Sequence, residues 1–84
     1  MSVIVTVRIM PKDENVDISR LESEIKNIIS PERIEREPIA FGVVALKVVK
    51  IIPEEEGSME ELEKNIKRVE GVGEVEVLEV TRSL

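Results

Sequence analysis

The sequence contains no cysteine, histidine, tryptophan or tyrosine among its 84 residues. Without cysteine there are no disulfides and no thiolate metal ligands, which suits the cytoplasmic location that we expect. The absence of histidine removes the commonest general base, proton shuttle and metal ligand. These absences argue against an enzyme, a metal site or a cofactor, and they leave carboxylates and lysines as the remaining candidates for chemistry.

Long uncharged apolar runs are also missing. No segment reaches the length of about 18 residues that a membrane-spanning helix needs, so we expect no contact with a membrane. The chain is 42% hydrophobic and 36% charged, a balance typical of a globular protein. We therefore expect residues 1–84 to form one domain.

The chain carries a formal net charge of −6. Nucleic-acid backbones favour positive surfaces, so this charge argues against direct nucleic-acid binding. A protein partner with a basic patch suits this acidic chain better.

Apolar periodicity predicts four strands and two helices in the order β-α-β-β-α-β. Two βαβ units joined by a hairpin are typical of the α+β ferredoxin-like sandwich, with both helices on one face of an antiparallel sheet of order 4-1-3-2. The two most apolar strands, the first and the third, would then lie in the centre. The strands are predicted at 3–10, 32–37, 43–52 and 72–84, and the helices at 17–30 and 58–71.

Local signals predict where the helices begin and where the last strand is irregular. The second helix has a capping box from Ser58 to Glu61, and the first has either a box from Ser19 or a cap at Asp17. The apolar residues of the last strand change phase after Val77, which predicts a β-bulge or a switch in burial.

Many functions use this fold, and several are excluded by missing residues. A metallochaperone needs Cys-x-x-Cys, and an acylphosphatase needs an arginine beside a glycine-rich loop after the first strand. An RNA-recognition module stacks bases on two or three rings, whereas "AFGVVALKV" offers one. The acidic stretches "PKDEN" and "PEEEG" lack the spacing of a calcium loop, and solvated loops are the expected interpretation.

The only aromatic residue, Phe41, lies in the predicted turn "EPIAFG" (37–42). The pattern alone favours a ring that folds back over the core, where its burial would contribute about 1.5–3 kcal/mol. The alternative is an exposed ring that binds a partner.

Three stretches together resemble a known family over essentially the whole chain: "VTVRIMPKDENVDISRLE", "EPIAFGVVALKV" and a short basic tail ending in leucine. They resemble the guanine-nucleotide exchange domain of the elongation factor 1-beta family, in its archaeal form, which consists of this domain alone. The resemblance implies a translation factor that binds the GTPase elongation factor 1-alpha and speeds the release of GDP. We expect it to act without chemical catalysis and to be monomeric when free. It further implies that Phe41 and Gly42 contact the GTPase.

The tail, with Arg82, Ser83 and Leu84, resembles the segment whose basic side chain reaches the magnesium and phosphate region of the GTPase. Many relatives place that basic residue next to last, whereas this chain has Ser83 there and Arg82 one position earlier. In an extended strand, such an offset turns the side chain to the other face.

Two other interpretations stay open at this point. One is a small ferredoxin-like regulatory module that binds a ligand or dimerises. The other is an enzyme that uses the carboxylates of "PKDEN", such as Asp13.

If the exchange interpretation holds, the predicted topology places Phe41 and Arg82 at opposite ends of the sheet.

Overall fold

The computed structural model describes residues 1–82, which form a four-stranded antiparallel sheet with two α-helices on one face. The predicted order of elements is confirmed. The elements are β1 (Ser2–Pro11), α1 (Ile18–Ile29), β2 (Arg33–Pro38), a short 3-10 turn (Ala40–Gly42), β3 (Val44–Pro53), α2 (Ser58–Lys67) and β4 (Val72–Arg82).

The strands lie in the order β2-β3-β1-β4, which is the predicted ferredoxin-like order read from the opposite edge. The two most apolar strands, β1 and β3, are central and pair antiparallel, with Val7 opposite Val48. The charged strand β2 lies at one edge, where charged side chains discourage pairing with further strands.

The core lies between the sheet and the helices and is entirely aliphatic. Alternate residues of β1 are buried because successive side chains of a strand point to opposite faces. We call the face that the helices leave uncovered the open face. The buried cluster consists of Val5, Val7, Ile9, Leu21, Ile25, Ile29, Leu46, Val48, Ile52, Leu62, Ile66 and Val69.

Helix α1 is capped by Asp17 rather than by the alternative box from Ser19 to Glu22. The Asp17 carboxylate accepts hydrogen bonds from the backbone N–H groups of Ser19 (3.0 Å) and Arg20 (3.2 Å). The side chains of Ser19 and Glu22 instead accept hydrogen bonds from Arg36 on β2. The box does not form because Asp17 is the cap, so Ser19 already lies in the first turn of the helix.

Helix α2 also begins differently from the prediction. The cap position is Gly57, with φ 89°, and no side chain there accepts a cap hydrogen bond. Ser58 is already the first helical residue, so the predicted capping box from Ser58 to Glu61 is wrong. A glycine fits this position because it adopts positive φ without steric cost.

Strand β4 contains the predicted bulge. Thr6 pairs with Glu79 and Val7 with Val77, which leaves Leu78 without a partner residue on β1. Leu78 lines a shallow groove of the open face. Because of this extra residue, Val80 lies on the same side of the sheet as the helices, opposite Val5. The phase change in the sequence therefore reflects one inserted residue.

Because α1 has a side-chain cap and α2 has none, mutations at the two helix starts should change the free energy of unfolding by different amounts. Asp17→Ala should lower the free energy of unfolding by about 1 kcal/mol, because two backbone N–H groups lose their acceptor. Ser58→Ala should change it by less than about 0.5 kcal/mol, because the hydroxyl caps nothing. Urea denaturation of both variants checks this, and an equal or larger effect at Ser58 would contradict the assignment of the caps.

Candidate functional site

The side chain of Phe41 is fully exposed, with a relative accessibility of 101%. The interpretation that the ring folds back over the core is therefore wrong. The core is already filled by aliphatic side chains from both central strands and both helices. Phe41 instead lies at the tip of the connection between β2 and β3.

The backbone of this tip directs the ring outward. Phe41 has φ 64° and ψ 32°, and Gly42 has φ 76°, so two consecutive residues are left-handed. The backbone N–H of Ile39 donates to the carbonyl of Val43 across the tip at 2.7 Å. A left-handed conformation costs a residue with a side chain about 1–2 kcal/mol, so the tip holds the ring in a strained conformation.

An ion-pair network on the open face fixes the base of this tip. Arg8 on central β1 donates to Glu37 on β2 at 2.8 Å and to Glu76 on β4 at 3.1 Å. To reach Glu37, the arginine crosses β3, where Ala45 lies opposite Glu37 and has a small side chain. The hydrogen bond from Arg8 lowers the pKa of the Glu37 carboxyl and raises that of the guanidinium. One side chain thereby links both edges of the sheet beside the turn.

Arg82 lies at the end of β4, opposite Val3. Its side chain is 70% exposed, and its guanidinium lies 3.0 Å from the carboxylate of Glu54, which follows β3 directly. Ser83 and Leu84, the other predicted contacts of the tail, lie outside the described residues.

The two predicted contact regions lie at opposite ends of the sheet. Arg82 pairs with Val3 near the start of β1, whereas the tip with Phe41 precedes Val44, near the end of β1. β1 has 10 residues. At about 3.3 Å per residue, the separation is about 30 Å. The structure thus brings Phe41 and Gly42 together and keeps Arg82 apart from them.

A cleft beside the ring is a feature that the sequence does not predict. It has a volume of about 490 Å³ and lies between the tip and the segment that leads from β1 to α1. Phe41, Gly42 and Val43 line one side, and Asp13 and Glu14 line the other. The cleft depends on packing between segments far apart in the chain, so no local pattern indicates it.

Neither a metal site nor a membrane segment is found in the described part of the chain. Across residues 1–82, no three His, Cys, Asp or Glu side chains gather as they would around a metal ion. Within the same residues, no helix has the length and apolar character that crossing a membrane requires.

The fold and the site define a ferredoxin-like module with the exposed ring of Phe41 at one end of the sheet and the exposed side chain of Arg82 at the other. Residues 4–82 match the model of a protein family, the EF-1 guanine nucleotide exchange domain. The chain belongs to this family.

Curated relatives agree with the family match. The chain is 40% identical to elongation factor 1-beta of Methanothermobacter thermautotrophicus, over 95% of this chain and 94% of the relative. It is 42% identical to elongation factor 1-beta of Staphylothermus marinus, over 95% of this chain and 94% of the relative. The relative of the same name from Pyrococcus abyssi is 40% identical, over 96% of this chain and 94% of the relative. These matches favour the exchange factor over the regulatory module and the carboxylate enzyme.

The strained tip predicts an unusual effect on stability. Phe41→Asn should raise the free energy of unfolding by about 0.5–1 kcal/mol, because asparagine tolerates the left-handed region and the exposed ring contributes no packing. Phe41→Ala keeps the strain and should stay within about 0.5 kcal/mol of the parent. Chemical denaturation measures both, and a loss above about 1 kcal/mol in each variant would mean that the ring is packed.

Proposed function

We propose that this chain promotes the exchange of GDP for GTP on elongation factor 1-alpha by contacting it at both ends of the sheet. Phe41 and Gly42 would dock at one end, and the tail with Arg82, Ser83 and Leu84 would act at the other. Membership of the exchange-domain family supports the activity. The observation that carries the docking scheme is the fully exposed ring of Phe41, held outward by a left-handed backbone.

Phe41 is suited to anchoring a partner. An aromatic ring covers a large contact area and has few rotatable bonds, so ordering it on binding costs little entropy. The tip that carries the ring is joined to the sheet on both sides, by β2 and β3, and the ion pairs of Arg8 fix its base. The free protein therefore already holds the ring in a conformation that is ready to enter an apolar pocket.

Arg82 is the candidate for perturbing the nucleotide site. Magnesium bridges the phosphates of the nucleotide to a GTPase, so a cation brought close to that site competes with the metal and loosens GDP. The guanidinium would exchange Glu54, its partner at 3.0 Å, for groups at this site. Because an exposed ion pair contributes only about 0–1 kcal/mol, releasing Glu54 costs little.

This mode of action needs no proton transfer or covalent step. The protein prefers the nucleotide-free GTPase, and by linkage GDP and the exchange factor each weaken the binding of the other. We further propose that residues 1–84 act as one domain, in the cytoplasm and as a monomer when free. The docking involves neither nucleic acid nor membrane.

The test is the release of fluorescent GDP from elongation factor 1-alpha in magnesium, measured against the concentration of this chain. Phe41→Ala should raise the concentration needed for half-maximal acceleration at least about ten-fold, because the ring supplies binding. Arg82→Ala should instead lower the maximal release rate at saturation, because the guanidinium acts on the bound nucleotide.

Arg68→Ala is the matched control, since it removes an exposed arginine at the end of α2. Arg68→Ala should change neither the concentration for half-maximal acceleration nor the maximal release rate. A parent chain that does not accelerate release contradicts the exchange function. Normal acceleration by folded Phe41→Ala and Arg82→Ala contradicts only the assigned contacts.

A further inference from the structure

We propose that the cleft beside Phe41 is a second docking element, which receives an apolar side chain of the GTPase together with a neighbouring lysine or arginine. This inference rests on the proposed function, because it takes the end of the sheet with Phe41 as the docking end. The cleft and the ring form one continuous surface, since Phe41 itself lines the cleft.

The walls of the cleft are apolar and come from segments that the fold brings together. Met10, Val16 and Ile18 line it from the side of β1 and α1, and Val43 and Val44 line it from the side of β3. All five side chains are half-buried, so each still presents part of its surface to the cleft. Covering this surface with an apolar side chain is favourable because it removes apolar area from water.

The rim of the cleft is acidic. Asp13 and Glu14 are exposed at its edge, and no lysine or arginine is among the lining residues of the described chain. The Asp13 carboxylate accepts a hydrogen bond from the backbone N–H of Asn15 at 2.8 Å, which holds this turn in shape. Two carboxylates beside an apolar wall repel phosphates and acidic segments, and they attract a basic residue that flanks an apolar one.

The ring of Phe41 and the cleft beside it give the docking end one projecting feature and one recessed feature. The ring of Phe41 projects away from the sheet, whereas the cleft next to it recedes toward β1 and α1. A partner surface with an apolar pocket for the ring and an adjacent apolar-basic projection for the cleft would engage both. A ring alone fits many apolar pockets, so the acidic rim would add selectivity for one partner.

Charge reversal at the rim tests the electrostatic part. Glu14→Lys should weaken binding to nucleotide-free elongation factor 1-alpha about ten-fold at low salt, mainly through slower association, and this loss should shrink as salt is added. Glu14→Gln should lie between the parent and Glu14→Lys. The control Glu63→Lys makes the same charge change on α2, where Glu63 lines a separate surface groove, and this variant should bind like the parent. Stopped-flow association at several salt concentrations measures these effects.

A second variant tests the apolar part. Val43 lines the cleft but is not among the residues packed against the core cluster, so Val43→Ser should leave the fold intact. This variant should bind several-fold more weakly, mainly through faster dissociation, with the same salt dependence as the parent. Circular dichroism and thermal unfolding confirm that each variant is folded.

The outcomes separate this inference from the proposed function. One outcome overturns this inference alone: Phe41→Ala loses affinity, whereas Glu14→Lys and Val43→Ser bind like the parent. The partner would then contact the ring and leave the cleft empty. Equal losses in Glu14→Lys and Glu63→Lys also overturn it, because net charge alone would then explain the effect. A parent chain that does not bind the GTPase overturns the proposed function and this inference together.

Discussion

The pairing of β1 with β3 is the constraint on which the rest of the structure depends. These strands supply Val5, Val7, Leu46 and Val48 to the core, and all four are completely buried. Each edge strand joins one of them, so the length of the central pair sets the distance between the two ends of the sheet. A fully hydrogen-bonded sheet of aliphatic residues does not stretch, and the two candidate contacts therefore keep a spacing of about 30 Å.

This rigidity suits the proposed docking at both ends of the sheet, which needs no reactive side chain. An exchange factor needs differential affinity for two states of its partner, and differential affinity needs contacts at fixed relative positions. Two residues other than glycine have positive φ within residues 1–82. Ser30 ends α1, and Phe41 lies at the proposed docking end, where its ring has no packing to lose. Strain of this kind persists where the surrounding structure determines it, as β2, β3 and the ion pairs of Arg8 do here.

The sequence predicted the features that depend on periodicity. The order of elements, the central position of the apolar strands and the bulge between Val77 and Val80 follow from alternation and its interruption. The direction of the Phe41 ring depends on the φ angle of a single residue, which no pattern indicates. The helix starts depended on which of two nearby residues takes the cap position: Asp17 rather than Ser19 caps α1, and Gly57 rather than Ser58 precedes α2. The cleft arises from packing between residues 10–18 and 41–44, and such long-range contacts are invisible to local patterns.

The most direct test of the account is a structure of the chain bound to nucleotide-free elongation factor 1-alpha, with the distance measured between the regions of the GTPase that contact Phe41 and Arg82. We expect two separate regions about 30 Å apart, with the guanidinium of Arg82 at the magnesium and phosphate site and the ring of Phe41 in an apolar pocket elsewhere. Both side chains on one small patch, or a ring that points into solvent, would contradict it.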